Sequence, residues 1–238
     1  MGRAGVVGVA ALCGAFAAGP SLAVATGSPS SLILVYLSQL PLFIGGLWLG
    51  AGVALAAGVT ASIMLLAATN ITAALMFAAV NVVPVILLVR QALLARTAAA
   101  GAIEWYPPGL LAAWLTGLGL TAIAVAFLLF GGPDSLQLAI REVLAPALDR
   151  LFVESAPGRD ELAGLLAMIM PGLVAASWMA MTLVNGTLAQ GLLARFGASW
   201  RPSPALATLT FRYGFRCSRC SPRRPRRLAE RCGFLAST

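Results

Sequence analysis

The sequence has no histidine and no lysine, and charged side chains make up only 10% of its 238 residues. Histidine is the commonest general base and metal ligand of proteins, so its absence removes the usual centre of acid–base and metal chemistry. A water-soluble domain normally has about a quarter of its residues charged. The composition therefore argues against both a soluble fold and an enzyme that depends on histidine.

The longest feature of the sequence is a stretch without charge, from Ala4 to Val89, which Arg3 precedes and Arg90 ends. A soluble surface needs ionic groups to stay hydrated and unaggregated. A surface that faces lipid has the opposite need, because a charge at the bilayer centre costs about 3 kcal/mol on insertion scales. The sequence therefore predicts an all-α, polytopic transmembrane helix bundle whose main partner is the lipid bilayer.

The positive charge is confined to one end of the chain. Residues 1–200 hold seven arginines and seven acids, whereas residues 201–238 hold nine arginines and one acid, Glu230. The net charge of +8 is therefore a property of the tail, and no nucleic-acid partner is predicted. The use of arginine alone, with many alanines, is typical of a GC-rich genome and favours a protein of a bacterial inner membrane.

Apolar runs divide the first 200 residues into six predicted spans, since about 20 apolar residues cross a bilayer core as a helix. They run from Ala4 to Ala25, Leu32 to Leu47, Gly50 to Ala68, Asn70 to the region of Arg90 and Arg96, Gly109 to Phe130, and, within a long final helix from Glu161 to Phe196, the charge-free stretch Leu162 to Ala194. Pro84 is expected to kink the fourth span. The first span has an alternative, because Arg3 and Ala23-Val24-Ala25 are also typical of a cleaved signal peptide.

The segments between the spans are of three kinds. Gly50 indicates a tight turn between the second and third spans. Trp105, in the loop 97–108, is typical of an interfacial anchor. In residues 134–153 apolar positions recur every three or four residues and charges lie mostly opposite, which predicts one amphipathic interfacial helix with Asp134 as its N-cap.

The arginines also predict an orientation. If six spans alternate, Arg90, Arg96, Arg195 and the tail fall on one side of the membrane, and residues 131–161, where acids outnumber arginines, fall on the other. Arginine-rich ends prefer the cytoplasmic side. The N-terminus and the C-terminus are therefore both predicted to be cytoplasmic.

Three amides inside the spans are the best candidates for a binding site: Gln39, Asn81 and Asn185. Uncharged amides suit a pocket for a small, largely neutral ligand, and Asn81 stands three residues before Pro84, where a kink frees backbone carbonyls. The alternative is that these side chains only form hydrogen bonds between helices, at about 0.6 kcal/mol each.

No catalytic site, cofactor or metal is predicted. The spans contain no acid, histidine or lysine that would serve as a proton relay. The sequence has no glycine-rich phosphate loop that ends in Gly-Lys-Ser or Gly-Lys-Thr. Cys217, Cys220 and Cys232 are one ligand short of a structural zinc site.

Short landmarks give the first 205 residues or so a family resemblance. They are Thr26-Gly27-Ser28-Pro29, Tyr36, Leu40-Pro41-Leu42-Phe43, Glu104-Trp105-Tyr106-Pro107-Pro108-Gly109, Asn185-Gly186-Thr187, and Gln190 to Gly197. On these, the chain resembles the bacterial membrane proteins of the domain of unknown function 2232 family. The helical plan of that family is similar to the substrate-binding subunits of energy-coupling-factor vitamin transporters.

The second resemblance implies a docking motif on the first helix, where small residues spaced by four contact a membrane protein partner. Ala11 and Ala15 have this spacing, as do Gly14 and Ala18. The alternative is ordinary close packing inside the bundle, which such motifs serve in many membrane proteins.

The chain is accordingly divided into a transmembrane domain, residues 1–200, and a basic, disordered tail, residues 201–238. The tail departs from the family pattern, which would continue into further apolar spans. A stretch such as Arg216-Cys217-Ser218-Arg219-Cys220 is what apolar codons of GC-rich DNA yield when they are read out of frame. We therefore hypothesise a frameshift near residue 210.

Two functions fit these expectations. The first is a transport subunit that binds a small-molecule ligand and has no ATPase of its own. The second is a structural or assembly factor of the cell envelope, with residues 134–153 as its docking surface.

Overall fold

The computed structural model describes residues 2–24, 31–97, 103–151 and 159–199. The predicted tail with its cysteines, the proposed cleavage site at Ala25 and the end of the amphipathic segment at residues 152–153 lie outside the described residues. Those predictions remain predictions.

Helices dominate the described residues, which confirms the all-α class. They are α1 (Arg3–Val24), α2 (Ser31–Tyr36), α3 (Leu40–Leu49), α4 (Ala51–Ala68), α5 (Ile71–Phe77), a π-helical segment (Ala78–Val82), α6 (Val83–Ala92), α7 (Pro108–Phe130), α8 (Pro133–Leu151) and α9 (Arg159–Arg195). Two short strands, β1 (Ala95–Thr97) and β2 (Ile103–Trp105), pair antiparallel.

Five apolar helical segments of the described chain have the length and composition needed to cross a membrane. They are Ala4–Leu22, Ala51–Ala68, Ile71–Ala92, Pro108–Phe130 and Asp160–Arg195. A sixth apolar segment, Leu34–Leu49, is shorter. The five long segments correspond to five of the six predicted spans, and they are compatible with a membrane protein.

The second predicted span, Leu32 to Leu47, is wrong as one continuous helix, because it is broken between Tyr36 and Leu40. Leu37 N donates to Leu34 O and Leu40 N donates to Leu37 O, which closes a tight turn over residues 37–39. Pro41 is the second residue of α3, and it has no N–H with which to continue the helix from α2. Proline fits the first turn of a new helix, so α3 begins here.

The connections from α3 through α6 follow local signals in the sequence. Gly50 alone connects α3 to α4, with a φ of 103° that favours glycine. Asn70 caps α5 by accepting a hydrogen bond from Ala73 N at 2.9 Å. The disturbance expected at Pro84 takes the form of the π-helical segment, which ends immediately before α6.

The predicted loop 97–108 contains an element that the sequence analysis missed. Arg96 pairs with Glu104 in the register of the β1–β2 hairpin, and Ala95 pairs with Trp105. Such pairing depends on two segments meeting, and no alternating apolar pattern marks either three-residue strand.

The amphipathic helix is confirmed as α8, with one correction. The helix begins at Pro133, so Asp134 lies in its first turn and is not the N-cap. An acid still suits this place, since the N-terminal end of a helix attracts negative charge. Leu136 and Leu148 are buried where α8 packs against α9.

The core lies where α1, α3, α4 and α6 meet, with α9 closing one side. Small residues allow the close approach of α1 and α4: a Cβ atom on Gly14 would lie 2.5 Å from the carbonyl oxygen of Ala57. The break between α2 and α3 is thereby placed against α9 and the π-helical segment.

Candidate functional site

The predicted ligand residues meet around the break between α2 and α3. Gln39 lies in the turn, Asn81 in the π-helical segment and Asn185 in α9. Gln39 Nε2 donates to Asn81 Oδ1 at 3.3 Å, and Gln39 is fully buried. We call Ser38, Gln39, Asn81 and Asn185 the helix-break cluster.

Asn185 joins α9 to the end of α2. Its Nδ2 atom donates to Tyr36 O at 2.6 Å and to Met181 O at 2.9 Å. Both acceptors are carbonyl oxygens, so the amide nitrogen must face them, and this settles which end of the amide is Oδ1. Asn185 therefore satisfies a carbonyl that the break in the helix leaves without its usual i+4 donor.

Three buried oxygens of this cluster have no hydrogen-bond partner among the described residues: Ser38 Oγ, Gln39 Oε1 and Asn185 Oδ1. Their residues are 1%, 0% and 1% exposed, respectively. A buried polar atom without a partner costs about 1–3 kcal/mol. Two of these atoms belong to adjacent residues of the turn and the third to the α9 residue that bonds to Tyr36 O, so the break is a region where the described residues leave polar atoms unsatisfied.

The π-helical segment explains why Asn81 sits beside the break. Pro84 has no N–H to donate to Val80 O, four residues before it. The indole of Trp178 on α9 fills that role, with Nε1 donating to Val80 O at 3.0 Å. The freed carbonyl expected near Pro84 is thus occupied by a side chain, while π-helical turns of this kind are frequent at functional sites.

Hydroxyl groups of α9 continue the polar region beyond the cluster. Tyr36 Oη and Ser177 Oγ are 3.3 Å apart, and Thr182 Oγ1 donates to Trp178 O at 2.9 Å. Thr182 is 1% exposed. The bonds of Thr182 and Asn185 back to their own helix, four residues earlier, are typical of polar groups in apolar helices.

The electrostatics of the helix-break cluster are those of neutral dipoles. None of its members is charged, and the spans around it, from Ala4 to Val89, carry no ionic group. Within the described ranges, no group of three or more histidine, cysteine, aspartate or glutamate side chains comes together. The cluster therefore offers neutral hydrogen-bonding groups, with hydroxyl and amide oxygens as acceptors and hydroxyl and amide hydrogens as donors.

The small residues of α1 share one face of the helix, since positions i, i+3, i+4 and i+7 are neighbours, but they differ in burial. Gly14 and Ala18 are buried, and Gly14 lies against Ala57 and Thr60 of α4. Ala11 is exposed and Ala15 is half-buried. The Gly14–Ala18 pair accordingly serves close packing within the chain, while Ala11 and Ala15 remain candidates for contact with a partner.

A second concave surface lies on α7, apart from the cluster. The groove has a volume of about 380 Å³ and is lined by Tyr106, Leu110, Ala113, Trp114, Gly117, Leu118 and Thr121. Trp114 Nε1 donates to Tyr106 Oη at 3.0 Å. Its lining is almost entirely apolar, which suits contact with hydrocarbon more than recognition of a polar solute.

Comparisons with known proteins leave the family open. No family model matches the chain, and neither a curated protein nor a solved structure does.

Sequence reasoning missed two parts of the site. Ser38 is one of several polar residues of the spans and had no signal of its own. The break was signalled by Pro41, which has the residue spacing of a helix start after a turn at Ser38-Gln39. The Tyr36 carbonyl follows from that break, because a helix that ends exposes its last carbonyls.

Proposed function

We propose that this chain is an integral protein of a bacterial inner membrane and acts as the solute-binding subunit of a transport system. The observation that carries the proposal is the helix-break cluster, where buried polar side chains meet at an interrupted apolar helix. In membrane proteins, non-helical backbone at this depth is tolerated where it is buried in protein or lines a binding cavity.

The proposal includes six spans with both ends cytoplasmic. The segment Leu34–Leu49 is short for a span, and α2 and α3 together serve as the second one because the turn at 37–39 is enclosed by α9 and the π-helical segment. The α8 helix lies at the opposite membrane surface. Membership in the domain of unknown function 2232 family remains part of this proposal.

Energy for transport would come from a partner protein. The printed sequence has no lysine and hence no phosphate loop of the Gly-Lys-Ser type. The spans also lack the buried carboxylates of proton-driven carriers. Ala11 and Ala15, at the more exposed edge of the α1 face that carries Gly14, are the proposed docking residues for that partner.

Native mass spectrometry of the detergent-purified chain tests the solute-binding role. We expect a reproducible added mass that is not phospholipid, reduced in Asn81→Ala because Asn81 is the half-buried edge of the cluster. Thr116→Ala is the matched control, since its hydroxyl bonds only within α7. A bare protein, or phospholipid adducts alone, would contradict the proposal.

One observation favours the alternative, a structural or assembly factor. On α8, Leu138 is 62% exposed and Val143 is 80% exposed, although Leu136 and Leu148 of the same helix are buried. A photo-crosslinking residue at position 143 would then capture one protein partner in intact cells. The same residue at position 128 of α7, where Leu128 is 81% exposed, is expected to capture lipid; equal capture of lipid at both positions would exclude this alternative.

A further inference from the structure

The inner part of the helix-break cluster presents oxygen and little else. The Asn185 amide nitrogen donates to two carbonyls and the Gln39 amide nitrogen donates to Asn81. What remains without a partner is Ser38 Oγ, Gln39 Oε1 and Asn185 Oδ1. Lone pairs of oxygen attract a cation or a hydrogen-bond donor and repel an anion.

The backbone around the break also offers an anion few free N–H donors. The start of α3 would attract negative charge through free N–H groups. Leu40 N already donates to Leu37 O, Phe43 N donates to Gln39 O, and Pro41 has no N–H. An anionic solute therefore finds few donors at this end of α3.

The size and charge of the ligand follow from burial and neutrality. Ser38, Gln39 and Asn185 are each at least 99% buried, so a ligand of their unpartnered oxygens has to be as small as an ion or a water molecule. Without a carboxylate, the cluster cannot compensate a divalent ion, because Ca²⁺ and Mg²⁺ in proteins rely on acidic ligands. A monovalent ion needs less charge compensation, and carbonyl and hydroxyl oxygens are able to replace its hydration shell.

We propose that Ser38 Oγ, Gln39 Oε1 and Asn185 Oδ1 bind a dehydrated monovalent alkali cation at the break between α2 and α3. The interrupted helix is the kind of backbone that coordinates Na⁺ in transporters. This inference deepens the proposed function, on which it rests for the membrane setting, by naming an ion that the same site binds. The solute is assigned to the more open side of the cluster, at Asn81, so the two ligands are tested by different residues.

The probe is sodium itself, added to the full chain in detergent. Thermal unfolding is followed by tryptophan fluorescence while NaCl replaces choline chloride at constant ionic strength, and saturable binding of radioactive sodium is measured in parallel. We expect the midpoint temperature to rise with a saturating dependence, by about 3–6 °C at a tenfold excess over the dissociation constant.

Ser38→Ala separates coordination from packing. Its hydroxyl has no partner among the described residues, so without sodium its removal is expected to leave the midpoint unchanged or raise it slightly. With sodium, we expect the affinity of the variant to fall at least tenfold. Thr116→Ala should keep both the shift and the binding of the wild type.

The outcomes distinguish this inference from the proposed function. Saturable binding of sodium or potassium that Ser38→Ala weakens supports the cation site. No saturable binding and no shift in the wild type would overturn it, and would leave a buried water as the occupant. A solute found by native mass spectrometry and lost in Asn81→Ala would still uphold the transport role in that case. A stronger response to Mg²⁺ or Ca²⁺ at equal ionic strength would also overturn the assignment to a monovalent ion.

Discussion

The α2–α3 segment and α7 are both apolar helical segments, yet they use their polar residues in opposite ways. In α7, Thr116 and Thr121 donate to carbonyls four residues earlier, at 3.0 and 2.8 Å. Around the α2–α3 break, Gln39 and Asn185 bond to other elements and keep unpartnered oxygens. A hydroxyl can be satisfied by its own helix, whereas an amide has more donors and acceptors than one helix turn can serve.

The two segments also differ in how much of their surface is covered. Half of α3 is buried, namely Leu42, Phe43, Gly45, Gly46 and Leu47, whereas Leu115 and Gly119 are the buried residues of α7. The α3 part of the broken segment lies inside the bundle and α7 lies at its edge. Residue substitutions matched between them should therefore have unequal effects.

The largest difference in stability between the two segments is expected for substitutions of glycine. A Cβ atom on Gly46 would lie 2.9 Å from Ala54 Cβ and 3.0 Å from both γ-carbons of Val89, whereas nothing lies within 4 Å of one on Gly117. Gly46→Leu should destabilise the protein by about 3 kcal/mol through overpacking. Gly117→Leu should be close to neutral. Thermal unfolding in detergent measures both, and equal losses would refute the contrast in packing.

A smaller difference in stability is expected when polar side chains are replaced by alanine. Asn185→Ala removes the donor to Tyr36 O on another helix and the donor to Met181 O within α9. It should cost about 1 kcal/mol, given about 0.6 kcal/mol for the bond between helices and less than about 0.5 kcal/mol for the bond within α9. Thr121→Ala removes a bond within one helix turn, whose carbonyl keeps its helical partner, and should cost less than about 0.5 kcal/mol. Chemical denaturation of the two variants side by side provides the measurement. If Thr121→Ala lowers the free energy of unfolding more than Asn185→Ala does, the conclusion that the α7 hydroxyls are satisfied within their own helix is wrong.

The smallest difference in stability is expected between substitutions of Trp178 and Trp114, whose indole nitrogens each donate a hydrogen bond of 3.0 Å. Trp178→Phe removes the side-chain donor to Val80 O, a carbonyl to which Pro84 cannot donate either. Trp114→Phe removes only a donor to the hydroxyl of Tyr106. We expect a loss of about 0.6 kcal/mol for Trp178→Phe and almost none for Trp114→Phe. Unfolding midpoints of the purified variants decide this. A double variant with Pro84→Ala should recover part of the Trp178→Phe loss, and a failure to do so would remove the link to Pro84.

Local signals predicted the ends of several helices. The fifth span was expected from Gly109 to Phe130 and runs Pro108–Phe130, and Asn70 begins α5 as expected. Capping groups and runs of apolar residues act over a few positions, so they can be read from sequence alone. The hairpin was not predicted, because its three-residue strands have no alternating pattern. At Pro84 a disturbance was expected, but its π-helical form was not.

The candidate site was predictable in its members and not in its arrangement. Gln39, Asn81 and Asn185 were chosen because uncharged amides inside the spans suit a pocket for a small, largely neutral ligand. Their contacts depend on the break after Tyr36, which lets Asn185 reach the Tyr36 carbonyl. Whether the cluster binds a ligand is a prediction that the sodium and mass-spectrometry experiments test.

The sequence by itself determined that the chain forms apolar helices with a neutral interior, because long uncharged runs leave no other way to satisfy the backbone in lipid. It also determined where several helices begin, through Asn70, Gly50 and the prolines. Only the tertiary structure decided which polar atoms are satisfied. Asn185 and Trp178 reach carbonyls at residues 36 and 80 from a distant helix, and three buried side-chain oxygens, those of Ser38, Gln39 and Asn185, are left without a partner among the described residues. Hydrogen bonds between helices depend on packing geometry, which no single stretch of sequence contains.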